Sequence, residues 1–112
     1  MKIISDHIGK HVPIIISRHD NFFKRFKGLM FRLKPISNEG ILLTPCNSIH
    51  MFFMFFPIDV IFLNSRNEII YTKEKVKPWS LIFPIKNATS VLELPTGSIS
   101  KYSISVGMKI EF

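Results

Sequence analysis

The chain has 112 residues, the length of one ordinary domain, so we expect a single domain over residues 1–112. Its 46% hydrophobic content, with 11 phenylalanines, excludes an intrinsically disordered chain. The net charge is +7, and residues 1–34 carry most of it, with eight Lys and Arg against two Asp. This asymmetry is compatible with a solvated basic face or with a surface that attracts polyanions.

The cysteine content and the length of the apolar runs indicate the cellular compartment and whether the chain spans a membrane. Cys46 is the only cysteine, so no intramolecular disulfide can form and a reducing, cytoplasmic compartment is favoured. Charged residues and histidines interrupt the beginning of the chain, which therefore lacks the layout of a signal peptide. The apolar run over residues 49–63 includes Pro57 and Asp59, and it is shorter than the roughly 20 residues that a membrane-spanning helix needs. We therefore expect no transmembrane segment.

In the first half of the chain, residues 11–17 form a β-branched run that predicts a strand, with Pro13 marking an edge or a strand start. Asp20 or Asn21 can then cap a short helix near residues 20–28, because the following phenylalanines and cations fall on opposite helical faces. Residues 32–40 read as a loop and residues 40–44 as an apolar strand.

The second half predicts mainly strands. Residues 59–64 and 68–76 read as a hairpin whose first strand is apolar on both faces. Residues 77–86 read as an irregular arm, residues 88–94 as a strand, and residues 103–112 as one or two closing strands around Gly107. The pattern predicts a mainly β, β-rich α+β fold: a small barrel or sandwich of about six to eight short strands with one short helix.

Asp59 is the main candidate for a functional side chain. It is the only acidic residue between Gly40 and Asn67, within an almost wholly apolar run, and a buried carboxylate must be paired, neutralised or functional. Arg32 is the favoured partner, because a guanidinium can satisfy a carboxylate with two hydrogen bonds. The alternatives are a structural carboxylate that accepts backbone N–H bonds, or one that orients His50 as a general base if Pro57 turns the chain back.

Metal binding and nucleophilic catalysis are weaker interpretations of the same region. An extended segment over residues 46–54 would place Cys46, His50 and Met54 on one face, which suits a soft metal. Alternate strand positions lie about 7 Å apart, however, and rarely converge on one ion without a ligand from elsewhere. For the same reason Cys46 and His50 would lie about 13 Å apart in a regular strand. We therefore predict no metal site and no cofactor.

Trp79 lies in the irregular arm with other apolar residues. Together with Pro78, Leu81 and Phe83 it can form either an aromatic platform for a ligand or a lid over the core.

Four motifs, in this order, resemble those of the bacterial and archaeal family known as domain of unknown function 192. They are Gly28-Leu29-Met30-Phe31-Arg32; Cys46-x-Ser48-Ile49-His50 continuing through Phe53-Met54 and Phe56-Pro57-Ile58-Asp59-Val60-Ile61-Phe62-Leu63; Val91-Leu92-Glu93-Leu94-Pro95-x-Gly97; and Val106-Gly107. The resemblance covers roughly residues 18–112. It implies a small, β-rich single domain without an assigned activity.

Three functional hypotheses remain. The first is a non-enzymatic module that binds a small ligand, or serves as an accessory protein, through a cleft near Arg32, His50, Asp59 and Trp79. The second is a small hydrolase or lyase with His50 and Asp59 as catalytic residues. The third is a binder of nucleic acid or an anionic surface, which would use the basic residues of the first third: Lys24, Arg25, Lys27 and Arg32.

Overall fold

The computed structural model describes residues 1–21, 29 and 32–112, and these residues form mainly short strands. In chain order the elements are β1 (Lys2–Ser5), β2 (Ile8–His11), β3 (Ile15–His19), β4 (Glu39–Leu43), β5 (Ile49–His50), β6 (Ile58–Leu63), β7 (Ile69–Val76), β8 (Leu81–Ile82), β9 (Ser90–Pro95), the short helix α1 (Ser98–Lys101) and β10 (Lys109–Glu111). No helix in this part of the chain is long and apolar enough to cross a membrane.

The described strands form three sheets, and the largest lies between the two hydrophobic cores. Its five strands have the order β3-β4-β9-β6-β7, with β3 parallel to β4 and every other pair antiparallel. The strands β10-β1-β2 form an antiparallel three-stranded sheet, and β5 pairs with β8. The described strands thus form open sheets and not a closed barrel.

The five-stranded sheet is buried on both faces, which explains why β6 has no polar side other than Asp59. Val60 and Phe62 point to one face and Ile61 and Leu63 to the other, as the two-residue period requires. We call the first face the loop-side core, because residues 46–57 and 76–88 contribute much of its cover. The second is the hairpin-side core, covered by β1, β10 and α1.

The β-rich fold is confirmed, as is the predicted hairpin, which appears as β6 and β7. The strands predicted over residues 40–44 and 88–94 correspond to β4 and β9. The described residues form ten strands, more than the six to eight expected, partly because the first eleven residues add a hairpin, β1–β2. Its turn residues, Asp6 and His7, both have positive φ angles, as tight hairpin turns favour.

Other boundaries differ from the sequence prediction. The first predicted strand, over residues 11–17, appears as β3 and begins at Ile15, after Pro13. The helix expected near residues 20–28 falls almost entirely outside the described residues. Residues 103–112 contain only one strand, β10, because Ser103 and Gly107 take positive φ angles and turn the chain. The helix α1 was not predicted; it follows Gly97, whose φ is 88°.

Asp59 connects three of these elements through its side chain, which is fully buried. The register of β6 against β7 shifts between Ile58 and Val60, so β7 bulges opposite Asp59. At this bulge the backbone N–H of Lys75 donates to Asp59 Oδ1 over 3.0 Å. The backbone N–H of Ile99, in the first turn of α1, donates to Asp59 Oδ2 over 2.9 Å. Asp59 therefore ties β6 to the bulged end of β7 and to the start of the helix.

We expect Asp59→Asn to destabilise the fold by about 1–3 kcal/mol, because the amide replaces one acceptor oxygen by a donor that faces a buried N–H group. Urea unfolding measures the loss, and amide hydrogen exchange at Lys75 or Ile99 shows which bond breaks. Asp6→Asn, in an exposed turn, is the matched control. Equal unfolding midpoints for Asp59→Asn and the wild type would contradict this structural role.

Candidate functional site

The four predicted site residues do not form one cleft. Arg32 is in an exposed loop, where its guanidinium pairs with the carboxylate of Glu39 at the start of β4. Asp59 lies on the hairpin-side face of β6 and bonds to backbone N–H groups. His50 lies in β5, and Trp79 lies in the turn before β8. The expected Arg32–Asp59 pair is therefore not formed, and the interpretation of Asp59 as an acceptor of backbone N–H bonds agrees with the geometry.

His50 and Trp79 are brought together by two phenylalanines that the sequence analysis did not select. The rings of His50 and Phe52 have centroids 5.3 Å apart, and Phe52 and Trp79 are 6.4 Å apart. Phe53 meets Trp79 edge to face at 5.1 Å. We call these four residues, His50, Phe52, Phe53 and Trp79, the aromatic surface.

Backbone hydrogen bonds at Met51 hold the two loops of the aromatic surface against each other. The N–H of Met51 donates to the carbonyl of Ser80, and the N–H of Trp79 donates to the carbonyl of Met51, each over 2.7 Å. The side chains of Met51 and Met54 are buried in the loop-side core and anchor the turn between them. The phenylalanines between these two anchors are consequently turned outward.

Two residues of the aromatic surface have a backbone conformation that bulky side chains rarely adopt. Phe53 has a φ of 60° and Trp79 a φ of 67°. Positive φ in large residues costs free energy and persists only where the surrounding structure imposes it. The bonds through Met51 supply that constraint. The exposed rings are therefore presented in a fixed arrangement.

A shallow groove of about 260 Å³ lies beside His50. Its walls are the β5 segment from Ser48 to His50 and the β8 segment from Leu81 to Pro84. Phe83, on the rim, is 76% exposed. The groove extends the apolar character of the aromatic surface along the β5–β8 pair.

Catalysis by His50 and Asp59 requires contact between the two side chains, which this arrangement does not provide. Asp59 uses one carboxylate oxygen for each of two backbone N–H groups and is inaccessible to solvent. Among the described residues, no three His, Cys, Asp or Glu side chains converge in a way that could hold a metal ion. Of the predicted polyanion-binding residues, Lys24, Arg25 and Lys27 lie outside the described residues, and Arg32 pairs with Glu39.

Glu93 is a second buried carboxyl group, which the sequence analysis recognised only as part of a motif. In β9 it lies opposite Ile41 of β4 and Val60 of β6, so it faces the loop-side core and is only 4% exposed. Burial raises the pKa of Glu93 from its ordinary value of 4.5 to about 8. The aromatic surface and a proton-binding carboxyl group therefore lie on the same side of the central sheet.

Of the site residues that the sequence did not predict, Glu93 carried a recognisable sequence signal and the two phenylalanines did not. The two-residue period of β9 places Glu93 on the same face as Val91, so an apolar strand containing one acid was visible in the sequence. Phe52 and Phe53 carried no such signal, because an aromatic residue in an apolar run is usually buried. Only the turn between Met51 and Met54 exposes them.

The fold places the chain among small β-rich proteins, and its site is an exposed aromatic surface. The chain belongs to the family DUF192, described as "Uncharacterized ACR", whose model matches residues 4–112. The match begins before residue 18, where the motif resemblance starts.

Curated relatives agree with this family membership, and solved structures share the fold. A UPF0127 protein of Pyrococcus furiosus is 40% identical over 109 residues, which cover 93% of this chain and 91% of that protein. The fold resembles a protein of unknown function from Novosphingobium aromaticivorans, with a TM-score of 0.82, 22% identity, and coverage of 99% of this chain and 82% of that one. It also resembles a candidate transcription regulator from Sinorhizobium meliloti, with a TM-score of 0.85, 23% identity, and coverage of 98% and 89%. At such identities the likeness concerns the fold alone.

We expect Glu93→Gln to be more stable than the wild type at neutral pH, by about 3 kcal/mol near pH 7. The unfolded chain loses this proton near pH 4.5 and the folded chain near pH 8, so wild-type stability falls as pH rises between these values. Glutamine stays neutral and avoids that loss.

Urea unfolding at intervals from pH 4.5 to 8.5 tests this expectation, with the exposed Glu111→Gln as the control for a surface acid. The stability difference between Glu93→Gln and the wild type must grow with pH. A difference that stays constant over this range would show that Glu93 does not take up a proton on folding.

Proposed function

We propose that the protein is a non-enzymatic accessory module that binds a partner protein through the aromatic surface. The observation that supports this proposal is the exposure of three large aromatic side chains in a fixed arrangement. Phe52 is 40%, Phe53 42% and Trp79 55% exposed, although 26 other hydrophobic residues are buried in the part of the chain that the structure describes.

Leaving such side chains in water is unfavourable for a free monomer. Exposed apolar area costs roughly 25 cal/mol per Å², and contiguous patches of it mark interaction sites. Phe55, Leu81 and Phe83 are exposed on the same loops and strands. Aromatic residues are enriched at the centres of protein interfaces, where they supply much of the binding free energy.

The fixed conformation of the loops that carry the aromatic surface also favours binding. The Met51 bonds fix the loops that carry Phe52, Phe53 and Trp79, so little conformational entropy remains to be lost when a partner docks. This preorganisation gives a reason for the positive φ angles at Phe53 and Trp79.

The size of the groove and the surrounding charges indicate the kind of partner. Pockets that enclose drug-sized ligands measure roughly 300–1,000 Å³, whereas the groove beside His50 is about 260 Å³ and shallow. It suits one inserted side chain better than a whole ligand. Lys75 and Lys77 are exposed on the segment that leads to Trp79, which favours a partner with acidic residues around an apolar centre.

We expect Phe53→Asn to weaken partner binding at least about tenfold, because it removes an exposed ring while keeping a residue type that tolerates positive φ. A protein captured by affinity from the source organism would be purified and titrated against the wild type and the variant. Trp79, the only tryptophan of the chain, reports binding through its fluorescence.

The matched control is Val106→Ser, which removes an exposed apolar side chain near β10 and leaves the aromatic surface intact. We expect it to change the affinity by less than about twofold. Equal weakening in both variants, or no weakening in Phe53→Asn, would contradict the proposal. A protein-free extract that quenches Trp79 saturably, with no protein captured, would assign the surface to a small ligand instead.

A further inference from the structure

The edge strand β3 leaves a row of backbone hydrogen-bonding groups without a strand partner. In the part of the chain that the structure describes, β3 pairs on one side only, with β4. On that side the N–H of Ile15 donates to the carbonyl of Asn38 over 2.9 Å, and the N–H of Thr44 donates to the carbonyl of His19 over 3.1 Å. Residues 15, 17 and 19 thus direct their backbone groups toward β4.

The intervening residues direct theirs outward. In a parallel pair the bonds to one neighbour come from alternate residues of a strand, so the N–H and C=O groups of Ile16 and Arg18 face away from β4. An open edge of this kind is a template for pairing with another extended segment.

A groove of about 540 Å³ runs beside this edge, and it is larger than the groove at His50. Most of its lining is apolar, including Val12, Ile14 and Leu42, and Ile15 on its wall is 76% exposed. Among the described residues that line the groove, Arg18 carries a positive charge and no side chain is acidic.

The opposite edge of the same sheet is protected against pairing with a further strand, whereas the edge at β3 is not. The edge strand β7 carries three consecutive exposed charged residues, Lys73, Glu74 and Lys75, and two register shifts against β6. Charges and bulges are the features that block unwanted pairing at edges. The strand β3 carries only Arg18 as a fixed charge and pairs with β4 in continuous register.

We propose that β3 is a strand-addition site, which binds an extended segment of a partner protein whose groove-facing side chains are apolar except for one acidic residue. The segment's backbone pairs with Ile16 and Arg18, and every second side chain faces the groove that Arg18 lines. The acidic side chain among these meets Arg18. A second copy of this chain fits less well, because pairing two β3 edges would bring two Arg18 side chains together in proteins of net charge +7. This site shares no residue with the aromatic surface.

The test uses a blocked synthetic peptide of about ten residues, in which every second residue is threonine and the residues between are valine except for one central glutamate. It is long enough to span the roughly 17 Å of a five-residue strand. Titration into the ¹⁵N-labelled full chain should give saturable shifts at the amides of Ile16 and Arg18, and slower hydrogen exchange at both. A peptide with lysine in place of glutamate should bind at least about tenfold more weakly.

Two variants change the pairing edge and the charge. Ile16→Pro removes an outward N–H that the fold does not use, together with the Ile16 side chain in the groove lining, and proline is tolerated at such edge positions. Arg18→Glu should reverse the preference between the two peptides. Each should weaken binding of the glutamate peptide at least about tenfold, whereas Arg66→Glu, the same charge change at an exposed turn, should alter it by less than about twofold.

Four results would overturn the proposal. They are the absence of saturable shifts, shifts confined to the aromatic surface, equal weakening in Arg66→Glu, and a dimer in sedimentation that Ile16→Pro abolishes. The last result would make a second copy the occupant of the edge.

Discussion

The two hydrogen bonds accepted by Asp59 are the constraint on which the arrangement of the molecule depends. A fully buried carboxylate must be paired or neutralised, and Asp59 obtains partners from the backbone at Lys75 and Ile99. The first bond fixes the bulged end of β7, from which the chain turns toward Trp79. The second fixes the beginning of α1. A polar contact in the hairpin-side core therefore positions the loop that carries part of the aromatic surface.

The two buried carboxyl groups on neighbouring strands show how environment separates their roles. Asp59 and Glu93 belong to the adjacent central strands β6 and β9 but point to opposite faces of the sheet. Asp59 is satisfied by backbone donors. Glu93 lies between Ile41 and Val60, and desolvation raises its pKa to about 8. Thus one acid stabilises the fold through hydrogen bonds, while the other makes stability depend on pH.

The two proposed contact surfaces, the aromatic surface and the β3 edge, both rest on features that folded proteins usually avoid: exposed apolar side chains and unpaired strand edges. Phe53 and Trp79 combine positive φ with exposure of large rings, and β3 leaves outward backbone groups beside an apolar groove. Each feature carries a free-energy cost for the isolated molecule. Both features lie on elements that belong to the central sheet or pack against it.

The sequence by itself determined the β-rich fold, the β6–β7 hairpin and the strands β4 and β9, because apolar runs, two-residue alternation and turn residues act locally. It also singled out Asp59, His50 and Trp79. Only the tertiary structure decided that Arg32 pairs with Glu39, that Asp59 bonds to Lys75 and Ile99, and that Phe52 and Phe53 join Trp79. Apart from Arg32–Glu39, these contacts join segments 16 to 40 residues apart. Periodicity along a chain specifies which face a side chain takes, but not which distant segment that face meets.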